Sequence, residues 1–252
     1  MNKNQDFATF FIGKNKDLPK ILWLHGWGHS HKNFLPMAEF FDDCAYSMLV
    51  DFPGFGESKN PPADWGSEDY MDALYQEIIK NQFYPAFIIG HSFGCRVAIR
   101  LAAKYPDVVQ NLVLISAAGL KRKRSLFFKT KAFVIKTFIK TIKLIDNVLK
   151  TDLKSKWSSR LGSSDYKNAG ELRNTFVKVI SENLAEEATH IKAQTLLVFG
   201  DNDQQTPVDF GIKYHSLIEN SELLVLKNQD HFSVLTTARS QVISAIKKFL
   251  RL

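Results

Sequence analysis

Six short apolar runs, separated by helical patterns, constrain this chain more than any other feature. They are ILWLHG (21–26), AYSMLVDFPG (45–54), AFIIGHS (86–92), NLVLISAAG (111–119), TLLVFGD (195–201) and SELLVLKNQDH (221–231). Most are uninterrupted rather than alternating, which predicts strands covered on both faces, as in a parallel sheet. Between them, residues 93–106 repeat Val97, Leu101 and Ala102 at helical spacing until Pro106. Residues 67–80 open with Ser67 as a plausible cap and carry Glu68 and Asp69 in the first turn. Residues 207–218 and 237–250 give two more helices. Strand–helix alternation with right-handed crossovers yields an α/β fold with a doubly wound, mostly parallel sheet.

One stretch breaks the alternation. Residues 120–190 contain no strand pattern, and 126–149 form a long amphipathic helical pattern, with a second over 168–184. The expected organisation is an α/β core of residues 1–119 and 191–252 with a helical insertion, 120–190. The charge of +7 is concentrated there: residues 120–160 hold 13 Lys and Arg against Asp146 and Asp152, leaving 20 basic against 24 acidic elsewhere. A basic surface confined to one segment argues against nucleic acid as a partner. Lys129, Lys136, Lys140 and Lys143 with Phe127, Phe128, Phe133 and Phe138 could instead give weak contact with an anionic membrane surface. The plainer expectation is that the apolar stripe covers a pocket and the lysines face water. The sequence is silent on oligomeric state.

The N-terminus has no apolar stretch of signal-sequence length, and no segment approaches the roughly 20 apolar residues of a membrane span. A cytoplasmic protein is expected. The two cysteines, Cys44 and Cys95, form no CxxC pair. They read as reduced, buried thiols, and neither metal nor cofactor is called for.

Gly90-His91-Ser92-Phe93-Gly94 is a G-x-S-x-G motif, weak alone but placed where an apolar strand ends and a helix opens. That context predicts a sharp turn with Ser92 at its tip. A serine hydroxyl needs a base. Of seven histidines, His231 follows the last strand pattern and is the expected base, and Asp203, with Asp201 as the alternative, is the expected acid that orients it. The order Ser92, Asp203, His231 suits this architecture. Donors to an oxyanion are expected from the backbone N–H of Phe93 and of Trp27, the latter in the loop His25-Gly26-Trp27-Gly28.

These pieces, HGWG (25–28), DFPGFGES (51–58), GHSFG (90–94), GDNDQQTP (200–207) and DHF (230–232), resemble the α/β-hydrolase superfamily in its serine-nucleophile esterase and C–C hydrolase branch. The resemblance implies an eight-stranded, mostly parallel sheet with a helical lid after the sixth strand, Asp203 as the triad acid, and a structural role for Asp51. About 20 residues precede HGWG, so the first two strands must be short or one missing. Serine at the elbow disfavours dehalogenase-like and epoxide-hydrolase-like members, and HGWG departs from the HGGPG of proline iminopeptidase-like ones. The expected activity is hydrolysis of small or medium carboxylic esters through an acyl-enzyme. The alternatives are hydrolysis of a C–C bond in a keto acid, with Arg96 or Arg173 as charged candidates, and a ligand-binding protein on the same scaffold.

Overall fold

The computed structural model describes residues 7–121 and 168–252. It contains seven strands: β1 (Ala8–Ile12), β2 (Lys20–Leu24), β3 (Tyr46–Asp51), β4 (Ala86–His91), β5 (Val109–Ile115), β6 (Gln194–Gly200) and β7 (Ser221–Leu226). They form one sheet in the order β1-β3-β2-β4-β5-β6-β7. β1 runs antiparallel to β3, and every other pair is parallel.

The uninterrupted apolar runs follow from this sheet having two covered faces. Along β2, Leu22 and Leu24 point into one core and Ile21 and Trp23 into the other. The same division separates Ile88 from Phe87 and Ile89, and Leu112 and Leu114 from Val113 and Ile115. Helices α2 (Ser67–Lys80), α3 (Phe93–Lys104) and α6 (Val208–Leu217) close the first face, and α1 (Leu35–Ala38) and α7 (Arg239–Leu250) the second. Each fully buried Leu, Ile, Val or Phe is worth about 1.5–3 kcal/mol against exposure, so alternation of apolar with polar residues would have sacrificed one core.

The structure refines several expectations. β1 was not anticipated from the sequence. Among the described residues it is the one strand before β2, where the resemblance implies two. The stretch 120–190 falls between β5 and β6. Within it, α4 (Arg173–Ser181) and α5 (Ala185–Thr189) are described. The helical pattern 126–149, with its lysines and phenylalanines, lies outside the described residues. Ser67 is the first helical residue of α2, not its cap. The capping position is Gly66, whose N–H donates to Asp69 Oδ2 at 2.9 Å. The Ser67 hydroxyl instead donates to Glu182 and accepts from Arg100 Nε at 2.8 Å, while Arg100 Nη1 pairs with Glu187 at 2.8 Å. This partly buried network ties α4 and α5 to α2 and α3. Both cysteines are free, Cys95 fully buried and Cys44 only half-buried. No helix among the described residues is long and apolar enough to cross a membrane.

Because β2 has β3 on one side and β4 on the other, the chain reverses its winding direction there. The loops leaving the carboxyl ends of β2 and β4 part at that point and open a crevice, the usual position for a ligand in a doubly wound sheet.

Candidate active site

Ser92 follows directly on β4 and precedes α3. Its backbone sits at φ 50°, ψ −105°, a left-handed region costing a non-glycine residue about 1–3 kcal/mol. The flanking glycines make room for it. A Cβ on Gly94 would stand 2.1 Å from the Leu24 carbonyl oxygen, and one on Gly90 would stand 2.9 Å from the Cys95 nitrogen. The turn is pinned from below by the Ser92 N–H, which donates to Ile115 O at 3.0 Å.

The carboxyl ends of β4, β6 and β7 share one rim, and the loops after them bring three side chains into line. His231 Nε2 lies 2.9 Å from Ser92 Oγ, and His231 Nδ1 lies 2.7 Å from Asp203 Oδ2. His231 and Asp203 are buried, while Ser92 is half-buried and lines the cavity. Asp201, the alternative acid, is exposed on the same loop and does not meet the imidazole. The other Asp203 oxygen, Oδ1, accepts the N–H groups of Gln205 and Thr206, both at 2.8 Å. Burial by itself raises the Asp203 carboxyl. The hydrogen bond and charge of His231, with the N–H and O–H of Thr206, outweigh it and bring the group down to about 2. Asp203 is thus a carboxylate at neutral pH, and His231 Nδ1 must carry the proton it shares with that carboxylate. Nε2 is the nitrogen that faces the serine hydroxyl.

Two further histidines, which the sequence reading left without roles, hold the frame. His91 Nε2–H donates to the His231 carbonyl at 2.9 Å, so a side chain inside the elbow grips the backbone of the residue facing Ser92. His25 Nδ1–H donates to Gly26 O at 2.7 Å, and its Nε2 accepts the Phe52 N–H at 3.0 Å, tying the first loop to the end of β3. Both rings are neutral. Desolvation pushes His25 down to about 4 and His91 down to about 3. Asp51 is fully buried and accepts from the His31 N–H, the His31 ring and the Glu57 N–H, which fixes the turn after β3.

A cavity of about 540 Å³ opens above Ser92 and His231. Trp27, Phe55, Leu172 and Phe232 give it apolar walls, and Asn60, Asn168, Glu171 and Gln205 add polar groups. The Trp27 ring packs edge-to-face on Phe55 and Phe93. The backbone of Trp27 lies on the His25–Gly28 loop, whose Gly26, Trp27 and Gly28 share the cavity wall with Ser92. Phe93 is the first residue of α3, so its N–H has no intrahelical acceptor by position. The two arginines considered as charged candidates do not line this cavity. Arg96 is buried in α3, with Nη1 unpartnered among the described residues, and Arg173 is an exposed residue at the start of α4. Among the described residues, no group of three or more His, Cys, Asp or Glu is placed to hold a metal ion.

The chain is similar to known proteins along most of its length. It is 26% identical to the bovine monoacylglycerol lipase ABHD6, across 94% of this chain and 77% of that one. It is 27% identical to the 2-hydroxy-6-oxononadienedioate/2-hydroxy-6-oxononatrienedioate hydrolase of Escherichia coli K12, across 82% of this chain and 76% of that one. Its fold matches that of an esterase from Exiguobacterium antarcticum with a TM-score of 0.74 at 18% identity, covering 98% and 96% of the two chains. The model of the alpha/beta hydrolase family matches residues 21–245, a span that runs from the second residue of β2 through β7 and takes in every residue of the hydrogen-bonded chain at the rim, and the protein belongs to that family.

Proposed function

We propose that this chain is a serine hydrolase of carboxylic esters, with Ser92 as nucleophile, His231 as general base and Asp203 as the acid that orients it. The single observation supporting this reading is the continuous hydrogen-bonded chain Ser92 Oγ–His231 Nε2 and His231 Nδ1–Asp203 Oδ2 on the floor of an open cavity. In the acylation step, Nε2 takes the serine proton as Oγ attacks the acyl carbon. The imidazolium so formed rests against the Asp203 carboxylate. The developing oxyanion is received by the N–H groups of Phe93 and Trp27. Collapse of the tetrahedral species expels the alcohol, which takes the proton from Nε2. Water then repeats the sequence in reverse and frees the acid. No cofactor takes part in these steps.

The cavity volume suits a small or medium ester. Residues 120–190 are read as its cap. Asn168, Ala169, Glu171 and Leu172, at the returning end of that stretch, already form part of the wall. The second reading, hydrolysis of a C–C bond beside a keto group, is favoured by the similarity to the Escherichia coli hydrolase. A panel of nitrophenyl esters of increasing acyl length, with one keto-acid C–C substrate, separates the two. The ester reading expects kcat/KM to peak at a short or medium acyl chain, with at least a hundredfold lower value for the keto acid. The reverse ranking would replace it with C–C cleavage.

A further inference from the structure

Thr206 lies in the loop between β6 and α6, three residues after Asp203, and is 4% exposed. Its hydroxyl meets three groups at once: Asp203 Oδ2 at 2.8 Å, Ser116 O at 3.0 Å and His231 Nδ1 at 3.2 Å. Its own N–H, with that of Gln205, already holds the other oxygen of the same carboxylate. Ser116 follows β5 in a left-handed conformation, φ 48°, and its N–H donates to Val198 O on the neighbouring strand at 2.8 Å. The hydroxyl therefore sits where β5, the β6 loop and the histidine loop converge.

We propose that Thr206 is a positioning residue for the Asp203–His231 pair, its hydroxyl fixing the carboxylate oxygen that faces the imidazole. This inference rests on the serine-hydrolase reading above. Two backbone N–H groups hold Oδ1, but a carboxylate held at one oxygen still swings about its Cβ–Cγ bond. The Thr206 hydroxyl supplies the second anchor, on Oδ2. The hydroxyl has one proton for two acceptors, Asp203 Oδ2 and Ser116 O, and the ionised one makes the stronger hydrogen bond. Bound to Oδ2, it also shares the negative charge that confronts Nδ1–H. Thr206 is absent from the cavity wall, so its effect belongs in turnover rather than in binding.

The test compares Thr206→Val, which keeps the shape and loses the donor, with Thr206→Ser, which keeps the donor. Both are assayed on a short nitrophenyl ester, and the low-field proton NMR signal of the His231 Nδ1–H is recorded for each. Thr206→Val is expected to lower kcat roughly tenfold at unchanged KM and to shift or broaden the Nδ1–H signal. Thr206→Ser is expected to stay within about threefold of the parent and to keep the signal. If the valine variant does not fold, Thr206→Ala takes its place, since alanine and serine differ only in the hydroxyl. A donor-free variant with parental kcat and an unmoved signal overturns the proposal. So does a serine variant as slow as the donor-free one, because turnover would then not follow the hydroxyl. Ser92→Ala in the same assay keeps the two claims apart: if it retains turnover, the serine-hydrolase reading fails. If it is inactive while the donor-free variant is normal, only the role of Thr206 fails.

Discussion

His231→Ala is expected to lower kcat on a short nitrophenyl ester by roughly four to six orders of magnitude, by analogy with other Ser-His-Asp sets. KM should change little, because in the proposed mechanism the imidazole acts on the serine proton rather than on substrate binding. The size of the effect follows from the wiring of the site. Nε2 is the one basic atom within hydrogen-bond distance of Ser92 Oγ among the described residues, at 2.9 Å. The two histidines that hold the frame cannot substitute for it. His91 spends Nε2–H on the His231 carbonyl, and His25 is engaged at both nitrogens by Gly26 and Phe52. Steady-state kinetics across a fixed substrate series checks this. Turnover within tenfold of the parent would assign the base to another group.

The second large effect concerns stability. Acidification from pH 7.5 to 5.0 is expected to cost about 4 kcal/mol of folding free energy through His25 and His91 alone. Desolvation holds their folded-state values down at about 4 and about 3, against 6.5 for an unconstrained imidazole. As the pH falls through 6.5, the unfolded chain takes up two protons that the native protein refuses. Stability is therefore complete above about pH 7 and declines until the native rings protonate, near pH 4 and below. In the middle of that window the slope approaches about 3 kcal/mol per pH unit, since two protons are taken up on unfolding. Asp203 adds to the loss only at lower pH. Its carboxyl is depressed to about 2, so the native state refuses a proton that the unfolded chain accepts near 3.8. Urea unfolding at intervals between pH 7.5 and 5.0 measures the slope. A change below 1 kcal/mol across that range would mean that these rings accept protons in place.

Much of this arrangement is legible in the sequence, because its physics is local or periodic. Six of the seven described strands announce themselves as apolar runs, since two covered faces leave few polar positions to disguise them. Helix α2 occupies the expected 67–80. The runs 45–54 and 221–231 overshoot their strands, which end at Asp51 and Leu226. The excess residues are the loops that carry the site. β1 escaped notice because it is five residues long and pairs on one side only, with β3, so its burial is partial. The elbow is readable because a strained serine between a strand and a helix demands glycines on both sides. The structure brings Ser92, Asp203 and His231 together, with Asp203 rather than Asp201 against the imidazole.

The residues that hold those three in place are harder to read. His25 and His91 act through backbone carbonyls and amides of segments far away in sequence, as in the contact between His91 and His231 O across 140 positions. No spacing rule encodes such contacts. Thr206 did leave a signal. A threonine three residues after an aspartate in GDNDQQTP is a local hydrogen-bonding pattern, but its contact with Ser116 O depends on β5 lying beside β6.

The most direct test of the account is covalent. Incubation with a fluorophosphonate probe, followed by peptide mass spectrometry, should place one adduct per chain on Ser92, and Ser92→Ala should take up none. An unlabelled parent protein, or labelling that persists in the alanine variant, would contradict the claim that this hydroxyl is the activated nucleophile.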